Sequence, residues 1–382
     1  MSSVYICLPS TQIGSTSPGE LDPLEHNLPA MNLLFSVLDA DKPRTTRPTA
    51  EDDTSMKIYL GLAENSPPHL TRVFTASEGK LVDLNLAYAA YLEQVRGENV
   101  NKYQLATFYF PESIAALLQR GEPALQALEK LASFILKSGT GRLRGPTGEK
   151  VTYESAEIRL LPPLQNPEKS FVIGFSDRAR LEAMPRAEIP TGFYKLPQTF
   201  VTTGAPILLP KFSTEVDADA CLAIVIGKAG RRIPPAQAWE HVAGITLLVD
   251  ITARDINRRE GLTTNNLLGK NFPSSTSLGP AILVNWTREE LQAIEVELSI
   301  DGTVKQKFTL CDCVFTVEQI IAHWSILGIK PGDFFAIGAS MALRGDRLQN
   351  PVPLKPGANL RCFSPAIGEL SHQVVLSDGV GR

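Results

Sequence analysis

The 382-residue chain is poor in cysteine, in long apolar runs and in excess charge of either sign. Its five cysteines are too few and too scattered for a disulfide framework, and their odd number leaves at least one free thiol, which indicates a reducing compartment. The apolar runs end far short of the roughly 20 residues that a bilayer span requires, so no membrane helix is predicted. The first residues lack the basic and apolar regions of a secretion signal, and we expect a cytoplasmic location.

The charge balance excludes a further class of protein. With 37 basic and 41 acidic residues the net charge is -4, and Lys and Arg never run longer than a pair. Such a chain has no basic stripe of the kind that binds nucleic-acid phosphates. A hydrophobic content of 43% is typical of a globular protein with a substantial core, and a small molecule is the expected partner.

The composition divides the chain into three segments. Residues 1–55 are rich in Pro, Ser and Thr and poor in apolar sequence, which predicts a flexible arm. Residues 56–150 combine a strand pattern with helical stripes, one of them capped by Asp83, and predict a small α+β domain. Residues 151–382 hold many short apolar segments that end in Gly or Pro, which predict a mainly β domain.

Two helices are predicted inside the β-rich segment. Thr316 and Gln319 form a capping box at the start of one of them. Pro235 opens the other, which is expected to end at Gly244. Helical crossovers are too few for a doubly wound parallel sheet, so the predicted fold class is α+β, mainly β, with mixed sheets.

Several motifs follow one another between about residues 160 and 375. They read, in chain order, FVIGF, FYKLPQTF, GAPILLPKFSTEVDADACLAIVIGKAGRRI, VAGITLLVDITARD, LLGKNFPSSTSLGP, DGTVKQ and IKPGDFFAIGAS. Their order resembles the catalytic domain of the fumarylacetoacetate hydrolase superfamily. The earlier segment LVDLNLAYAAYL, with the helical patterns after it, is similar to the small domain that precedes the catalytic domain in many members. The resemblance therefore covers about residues 56–376.

This resemblance implies a mixed β-roll, a homodimer and a divalent cation, commonly magnesium, held by carboxylates. It also implies an enzyme that cleaves, decarboxylates or isomerises a small oxo acid or diketone. In such enzymes the metal polarises a dicarbonyl or an enolate, which lowers the cost of developing negative charge.

The metal position departs from the family pattern, which has two glutamates two residues apart on a strand and an aspartate at the end of a later strand. Here the resemblance places Asp219 and Cys221 at the glutamate positions and Asp250 at the aspartate position. A strand has a side-chain period of two, so Asp219 and Cys221 share a face. Because sulfur is a soft ligand and Asp is one methylene shorter than Glu, we expect weakened magnesium binding, with manganese or zinc as alternatives.

Three hypotheses stay open for Cys221. It is a small buried apolar residue, or a thiolate ligand that favours zinc together with Asp219 and Asp250, or a nucleophilic or acid-base thiol. The third role needs a thiol pKa lowered by a nearby cation, for which Lys270 and Arg254 are candidates.

The water-activating pair of the family is also changed. In family hydrolases a histidine and a glutamate on a lid after the FVIGF-like strand activate water, and here Arg180 stands about where the histidine would be. A guanidinium stays protonated and cannot take a proton from water, so ordinary hydrolysis is not expected. Arg180 is either a solvated loop residue or an anion clamp for a substrate carboxylate.

Cationic positions of the family are retained at Lys195 and Lys270, and Arg254 follows Asp250 in the segment DITARD. A buried lysine is costly unless it is paired, so an inward Lys270 beside Asp250 would supply part of the positive charge of the metal. The alternative for both lysines is a solvated surface position.

We predict enolate stabilisation on an enolisable β-diketo or oxo-acid molecule, leading to C–C cleavage, decarboxylation, tautomerisation or cyclisation. The predicted catalytic residues are Lys270, Asp250, Cys221 and Lys195. The predicted substrate-binding residues are Arg180, Arg254, Gly338 and Ser340. The predicted metal ligands, in a degenerate site, are Asp219, Asp250 and Cys221. The alternative is a catalytically silent homologue that keeps the fold as a binding or dimerising scaffold.

Overall fold

A computed structural model describes residues 56–64, 66–67, 70–174, 188–261, 267–338 and 353–377. The predicted arm at residues 1–55 lies outside these residues. Within them, no helix is long and apolar enough to cross a membrane.

The first part of the described chain is a meander of strands followed by helices. Its strands are β1 (Met56–Ala63), β2 (Arg72–Ser77), β3 (Lys80–Asp83) and, after the helices, β4 (Thr152–Tyr153). Its helices are α1 (Leu84–Arg96), α2 (Lys102–Tyr109), α3 (Ile114–Gln119) and α4 (Glu122–Ser138). The carboxylate of Asp83 accepts a hydrogen bond from the backbone N–H of Leu86 at 3.1 Å, so the predicted cap of α1 is confirmed.

The second part consists mostly of strands. They are β5 (Ile158–Leu161), β6 (Ser170–Ile173), β7 (Gly192–Tyr194), β8 (Phe200–Val201), β9 (Ile207–Leu209), β10 (Val216–Ile226), β11 (Val242–Ala253), β12 (Thr276–Val284), β13 (Val296–Ile300), β14 (Thr303–Phe308), β15 (Phe334–Ile337), β16 (Asn359–Ser364) and β17 (Gly368–Leu376). The helices between them are α5 (Arg254–Arg259), α6 (Arg288–Gln292) and α7 (Val317–Trp324).

These strands form two sheets within the described residues. The larger sheet has 12 strands in the order β4-β3-β2-β1-β12-β11-β10-β15-β6-β7, with β5 paired to β1 and β8 paired to β12. The smaller sheet has five strands in the order β14-β13-β16-β17-β9. Strands β10, β11 and β12 are antiparallel neighbours, whereas β15 and β6 run parallel, so the larger sheet is mixed as predicted.

The larger sheet has a different core on each face. On β10, Ala220 and Leu222 join the core that the sheet shares with the smaller sheet. Cys221 and Ala223 join the core that includes residues of α1, α3 and α4. This alternation is the period of two of a regular strand, and it fixes which face each polar residue of β10 occupies.

One helix prediction is confirmed and one is wrong at its end. Thr316 and Gln319 form the expected capping box at the start of α7. The helix expected from Pro235 to Gly244 is a 3-10 turn over Pro235–His241, and β11 already begins at Val242. The run from Val242 is buried on both sides, and a continuous apolar run is typical of a central strand.

Strand β1 connects the two parts of the described chain. It pairs with β2 of the first part and with β12 and β5 of the second part. Residues 56–63 therefore belong to the same sheet as β10 and β11. The domain boundary near residue 150 stays a prediction.

Candidate active site

Charged side chains gather where β10 and β11 lie side by side. The antiparallel register pairs Asp219 of β10 with Asp250 of β11. Asp217 lies two residues before Asp219, and Thr252 lies two residues after Asp250, so all four share one face of the sheet. This is the face predicted from the period of two, and it carries two more polar residues than the resemblance indicated.

Lys195, in the segment after β7, reaches into this cluster from outside the two strands. Its ammonium donates to Asp250 Oδ1 at 3.0 Å, to the carbonyl oxygen of Ser275 at 2.9 Å and to the carbonyl oxygen of Lys270. The side chain is fully buried. Burial lowers the pKa of Lys195 to about 8, although the nearby carboxylate of Asp250 opposes that fall. An ammonium has three N–H groups, so the contacts of Lys195 are complete within the protein.

Lys270 approaches the same carboxylate from the turn before β12. Its ammonium donates to Asp250 Oδ2 at 2.5 Å and to Thr252 Oγ1 at 2.7 Å, and it lies 4.4 Å from the centre of the Phe193 ring. The residue is buried. Two of its three N–H groups are thus assigned to oxygens, and the third is directed neither to Asp250 nor to Thr252. Lys270 differs from Lys195 in this respect.

The two lysines determine the state of Asp250. Burial pushes the pKa of a carboxyl group up, but Lys270 and Lys195 more than offset burial and hold the pKa of Asp250 below its ordinary value. Asp250 is therefore an anion at neutral pH, with an ammonium on each of its oxygens.

Arg254 lies at the start of α5 and turns back onto β10. Its Nη2 donates to Asp219 Oδ2 and lies 3.5 Å from Asp217 Oδ2. Burial would lower the pKa of Arg254, but Asp219 and Asp217 raise it above its ordinary value. Arg254 was predicted to bind substrate, and the structure instead places its guanidinium among carboxylates of its own chain.

Asp219 is the most open carboxylate of the cluster. Its side chain is 15% exposed, against 4% for Asp250 and none for Asp217. Arg254 contacts Oδ2 of Asp219, and no hydrogen bond from a described residue reaches its Oδ1. Asp219 therefore has one oxygen available to a bound molecule.

Cys221 lies on the same face, in an environment that disfavours its thiolate. It is buried, and its pKa lies far above the ordinary value, first because of burial and then because of the charges of Asp250 and Asp219. The direction is opposite to the lowering that a nucleophilic thiol needs. A β-carbon on Gly338 would lie 3.0 Å from its sulfur and 2.4 Å from the carbonyl oxygen of Ala220, so glycine allows this close approach.

The residues do not fit the divalent cation that the family implies. Asp217, Asp219 and Asp250 carry three negative charges, and Arg254, Lys195 and Lys270 balance them with three positive charges. The remaining candidate ligand, Cys221, is a soft donor that burial keeps protonated. In the described part of the chain, no group of three or more His, Cys, Asp or Glu side chains is arranged to hold a metal ion.

The structure thus brings together Lys195, Lys270, Asp250, Asp219 and Arg254, with Cys221 and Gly338 adjacent. Arg180 and Ser340 lie outside the described residues. Sequence reasoning missed Thr252, Ser275 and Phe193 as partners of the lysines. Thr252 could have been found from the sequence, because a residue two positions after Asp250 on a strand shares its face. Ser275 contributes a backbone carbonyl, which has no signal in side-chain chemistry.

The family model for the fumarylacetoacetate (FAA) hydrolase C-terminal domain matches residues 173–375. The chain belongs to the fumarylacetoacetate hydrolase family. A mitochondrial oxaloacetate tautomerase, fahd2 of Xenopus laevis, is 34% identical to it over 324 residues, which cover 84% of this chain and 91% of the relative. The predicted family and the prediction of an enzyme are confirmed.

Solved structures agree with the fold. The 5-carboxymethyl-2-hydroxymuconate delta-isomerase of Mycobacterium smegmatis is 26% identical with a TM-score of 0.51, over 60% of this chain and 86% of the isomerase. The maleylpyruvate hydrolase of Sphingobium sp. SYK-6, in complex with manganese(II) and pyruvate, is 17% identical with a TM-score of 0.57, over 84% and 99% of the two chains. The α+β, mainly β fold of this family is therefore confirmed.

Proposed function

We propose that this enzyme interconverts the keto and enol forms of a small 2-oxo acid, with Lys270 and Asp219 as the groups that contact the substrate. The observation that carries the proposal is the buried Asp250 carboxylate with an ammonium on each oxygen. Beside it lies the Asp219 carboxylate, of which Arg254 contacts Oδ2 and leaves Oδ1 available. A 2-oxo acid has acidic C–H bonds next to its carbonyl, and enolisation places negative charge on the carbonyl oxygen.

Lys270 would stabilise that oxygen. Asp250 and Thr252 hold two of its N–H groups, so the ammonium is fixed in place before the substrate binds. Charge that is already oriented in a buried site stabilises a developing oxyanion strongly, since little reorganisation is needed at the moment of reaction. Lys195 has no N–H left for a substrate, and its role is to hold Asp250 and the Lys270 turn.

Asp219 would move the carbon-bound proton. Its Oδ1 accepts the proton as the C–H bond breaks, the electron pair forms the C=C bond, and the carbonyl oxygen takes the negative charge and then a proton from Lys270. Exchange with solvent returns both side chains to their starting states. The pairing of Asp219 with Asp250 in the strand register supports this assignment, because it places the base on the strand next to the ammonium groups.

The finer reactions share the same enolate. Decarboxylation, C–C cleavage and cyclisation all begin with charge on the same oxygen, and the named activities of the relatives favour tautomerisation among them. We infer that Arg254, Lys195 and Lys270 supply the positive charge that a divalent cation supplies elsewhere. A homodimer and a cytoplasmic location stay predictions.

The test is the rate at which enol oxaloacetate converts to the keto form, followed by the ultraviolet absorbance of the enol. Lys270→Met should lower kcat by about 100-fold or more, the usual loss on removing one oxyanion donor. The matched control is Lys228→Met, because the ammonium of Lys228 is exposed and pairs with the exposed carboxylate of Glu240. A wild-type rate equal to that of buffer across several 2-oxo acids would favour the non-catalytic scaffold instead.

A further inference from the structure

A glutamine from the smaller sheet binds the backbone of β10 at the candidate site. Gln306 lies on β14 and is buried. Its Oε1 accepts a hydrogen bond from the backbone N–H of Ala220 at 2.7 Å, and its Nε2 donates to the carbonyl oxygen of Ala220 at 3.0 Å. Ala220 lies between Asp219 and Cys221. One side chain therefore satisfies both backbone groups of the residue next to the proposed base.

The need for this contact follows from the pairing of β10. Along its whole length β10 pairs with β11 on one side. On the other side, the described residues of β15 pair with it over Leu222–Val225. Ala220 lies just beyond that short pairing, where a buried N–H and carbonyl need a partner from another source. The carboxamide of Gln306 takes the place that a further strand residue would occupy.

Gln306 lies next to an irregularity in β14. Leu298 of β13 pairs with Gln306, whereas the next residue, Ser299, pairs with Val304, so Lys305 is an extra residue in the ladder. Gln306 keeps the regular register and the buried face that it shares with Phe308, whereas the bulge changes the face of the residues before it. In a regular strand Val304 would face the core as Gln306 does, because the two residues are two positions apart. Here Val304 is half exposed. The regular register of β14 thus ends at Gln306.

We propose that Gln306 is a positioning residue for the site, which sets the place of Asp219 relative to Arg254 and to Asp250. It touches no substrate atom in this role and acts through the backbone of Ala220. The inference goes beyond the proposed reaction, because the contact holds β10 in place whichever oxo acid binds. The alternative is a structural role, in which Gln306 stabilises the packing of the two sheets without setting the position of Asp219.

The first test reads the position of β10 without any activity. Gln306→Met removes both hydrogen bonds at similar volume, and the alkylation rate of Cys221 by iodoacetamide is followed by mass spectrometry of its peptide. Buried thiols react through local opening, so loosening of β10 should raise the rate at Cys221 by about tenfold. Cys362 is buried on β16 and pairs with Leu298, so it reports on the smaller sheet. Its rate should stay within about twofold.

The matched control for stability is Ser325→Ala. Ser325 is buried, accepts a hydrogen bond from the distant backbone N–H of Ile233 at 2.9 Å and donates to the carbonyl oxygen of Ala322. The Ser325→Ala variant therefore also loses two hydrogen bonds, but at a position away from the charged side chains of the candidate site. Both variants should lower Tm by a few degrees, but only Gln306→Met should speed labelling at Cys221. Equal labelling of Cys221 in the two variants, or equal acceleration at Cys221 and Cys362, overturns the proposal.

The kinetic arm rests on the proposed function. Gln306→Met should lower kcat by about tenfold with KM changed less, since it displaces the proton-transfer group, and Ser325→Ala should change neither. Gln306→Glu keeps the acceptor for the Ala220 N–H, and because burial favours its protonated form it can still donate to the Ala220 carbonyl, so its labelling rate should lie between wild type and Gln306→Met. If the wild type shows no tautomerase activity, the proposed function fails while the labelling result still decides the role of Gln306. If Gln306→Met does not fold, the labelling order of wild type and Gln306→Glu decides it.

Discussion

The tripeptide Leu-Val-Asp occurs at residues 81–83 and again at residues 248–250, and in both places it lies on a strand and its aspartate is buried. Asp83 accepts hydrogen bonds from the N–H of Leu86 and from Arg72 Nη1 at 2.6 Å. Asp250 carries the two ammonium groups of Lys195 and Lys270. The same local sequence in the same sheet thus leads to two different electrostatic environments.

The difference lies in how many cations are buried with the carboxylate. Burial raises the pKa of Asp83, and Arg72, whose side chain is 34% exposed, offsets only part of that rise. The pKa of Asp250 is lowered, because Lys195 and Lys270 are almost fully buried and their charges are poorly screened. One partly solvated arginine is sufficient to hold a helix cap. Two buried lysines keep a carboxylate charged, and that charge can fix an ammonium toward a substrate.

Neutralising each aspartate should separate the two environments most clearly. Asp250→Asn leaves two buried ammonium groups without a counter-charge, so we expect the free energy of unfolding to fall by about 3–5 kcal/mol and the tautomerase rate to be lost. Asp83→Asn keeps a good helix cap, and the loss of its partly exposed ion pair is offset by relief of the buried charge, so stability should change by about 1 kcal/mol or less with activity retained. Urea unfolding and the enol assay measure both. Equal losses of stability would contradict the comparison.

Removing one lysine should convert the Asp250 environment into one like that of Asp83. Lys195→Met leaves a buried carboxylate with a single cation and leaves the carbonyls of Lys270 and Ser275 without their donor, so stability should fall by about 3 kcal/mol. Because Lys195 has no N–H for a substrate, kcat should stay within about tenfold of wild type at a temperature where the variant is folded. A kcat as low as that of Lys270→Met would show that Lys195 acts on the substrate directly.

Added metal should have little effect on the wild type. Since Arg254, Lys195 and Lys270 balance the three carboxylates, Mn²⁺ should leave no bound signal in electron paramagnetic resonance, and EDTA should change the rate by less than about twofold. Restoring the family pattern with Asp219→Glu and Cys221→Glu, together with Arg254→Met, adds carboxylate ligands and removes a competing cation. That triple variant should bind Mn²⁺. Stoichiometric binding by the wild type would refute the charge argument.

Part of this site was predictable from the sequence. The period of two in β10 placed Asp219 and Cys221 on one face, and the high cost of burying an unpaired lysine predicted Lys270 beside Asp250. The choice of Lys270 and Asp250 as pocket residues came from the family resemblance, whereas the rules themselves depend on residue types and spacing. The predicted helix caps at Asp83 and Thr316 are correct for a similar reason, because a capping residue finds its partners within one turn.

The remaining contacts depend on chain direction in three dimensions. Arg254 turns back to Asp219 because α5 begins directly after β11, and nothing in the segment DITARD distinguishes this from a guanidinium that faces a substrate. Lys195 is held by two backbone carbonyls, which every residue possesses. Gln306 of β14 reaches Ala220 of β10 from a position 86 residues away in the sequence. Such contacts join segments far apart in sequence and leave no periodic pattern.

The smallest expected effect is a pH dependence that belongs to Asp83 alone. Its folded pKa lies above the unfolded value, so the stabilisation linked to its protonated form is complete below the unfolded pKa and is lost as pH rises through the folded pKa. Asp83→Asn removes this titration. The stability of the variant relative to wild type should therefore improve from about pH 4 toward pH 7, by an amount that urea unfolding at several pH values can resolve. A trend of opposite sign would mean that Arg72 outweighs burial, and the environment of Asp83 would then resemble that of Asp250 after all.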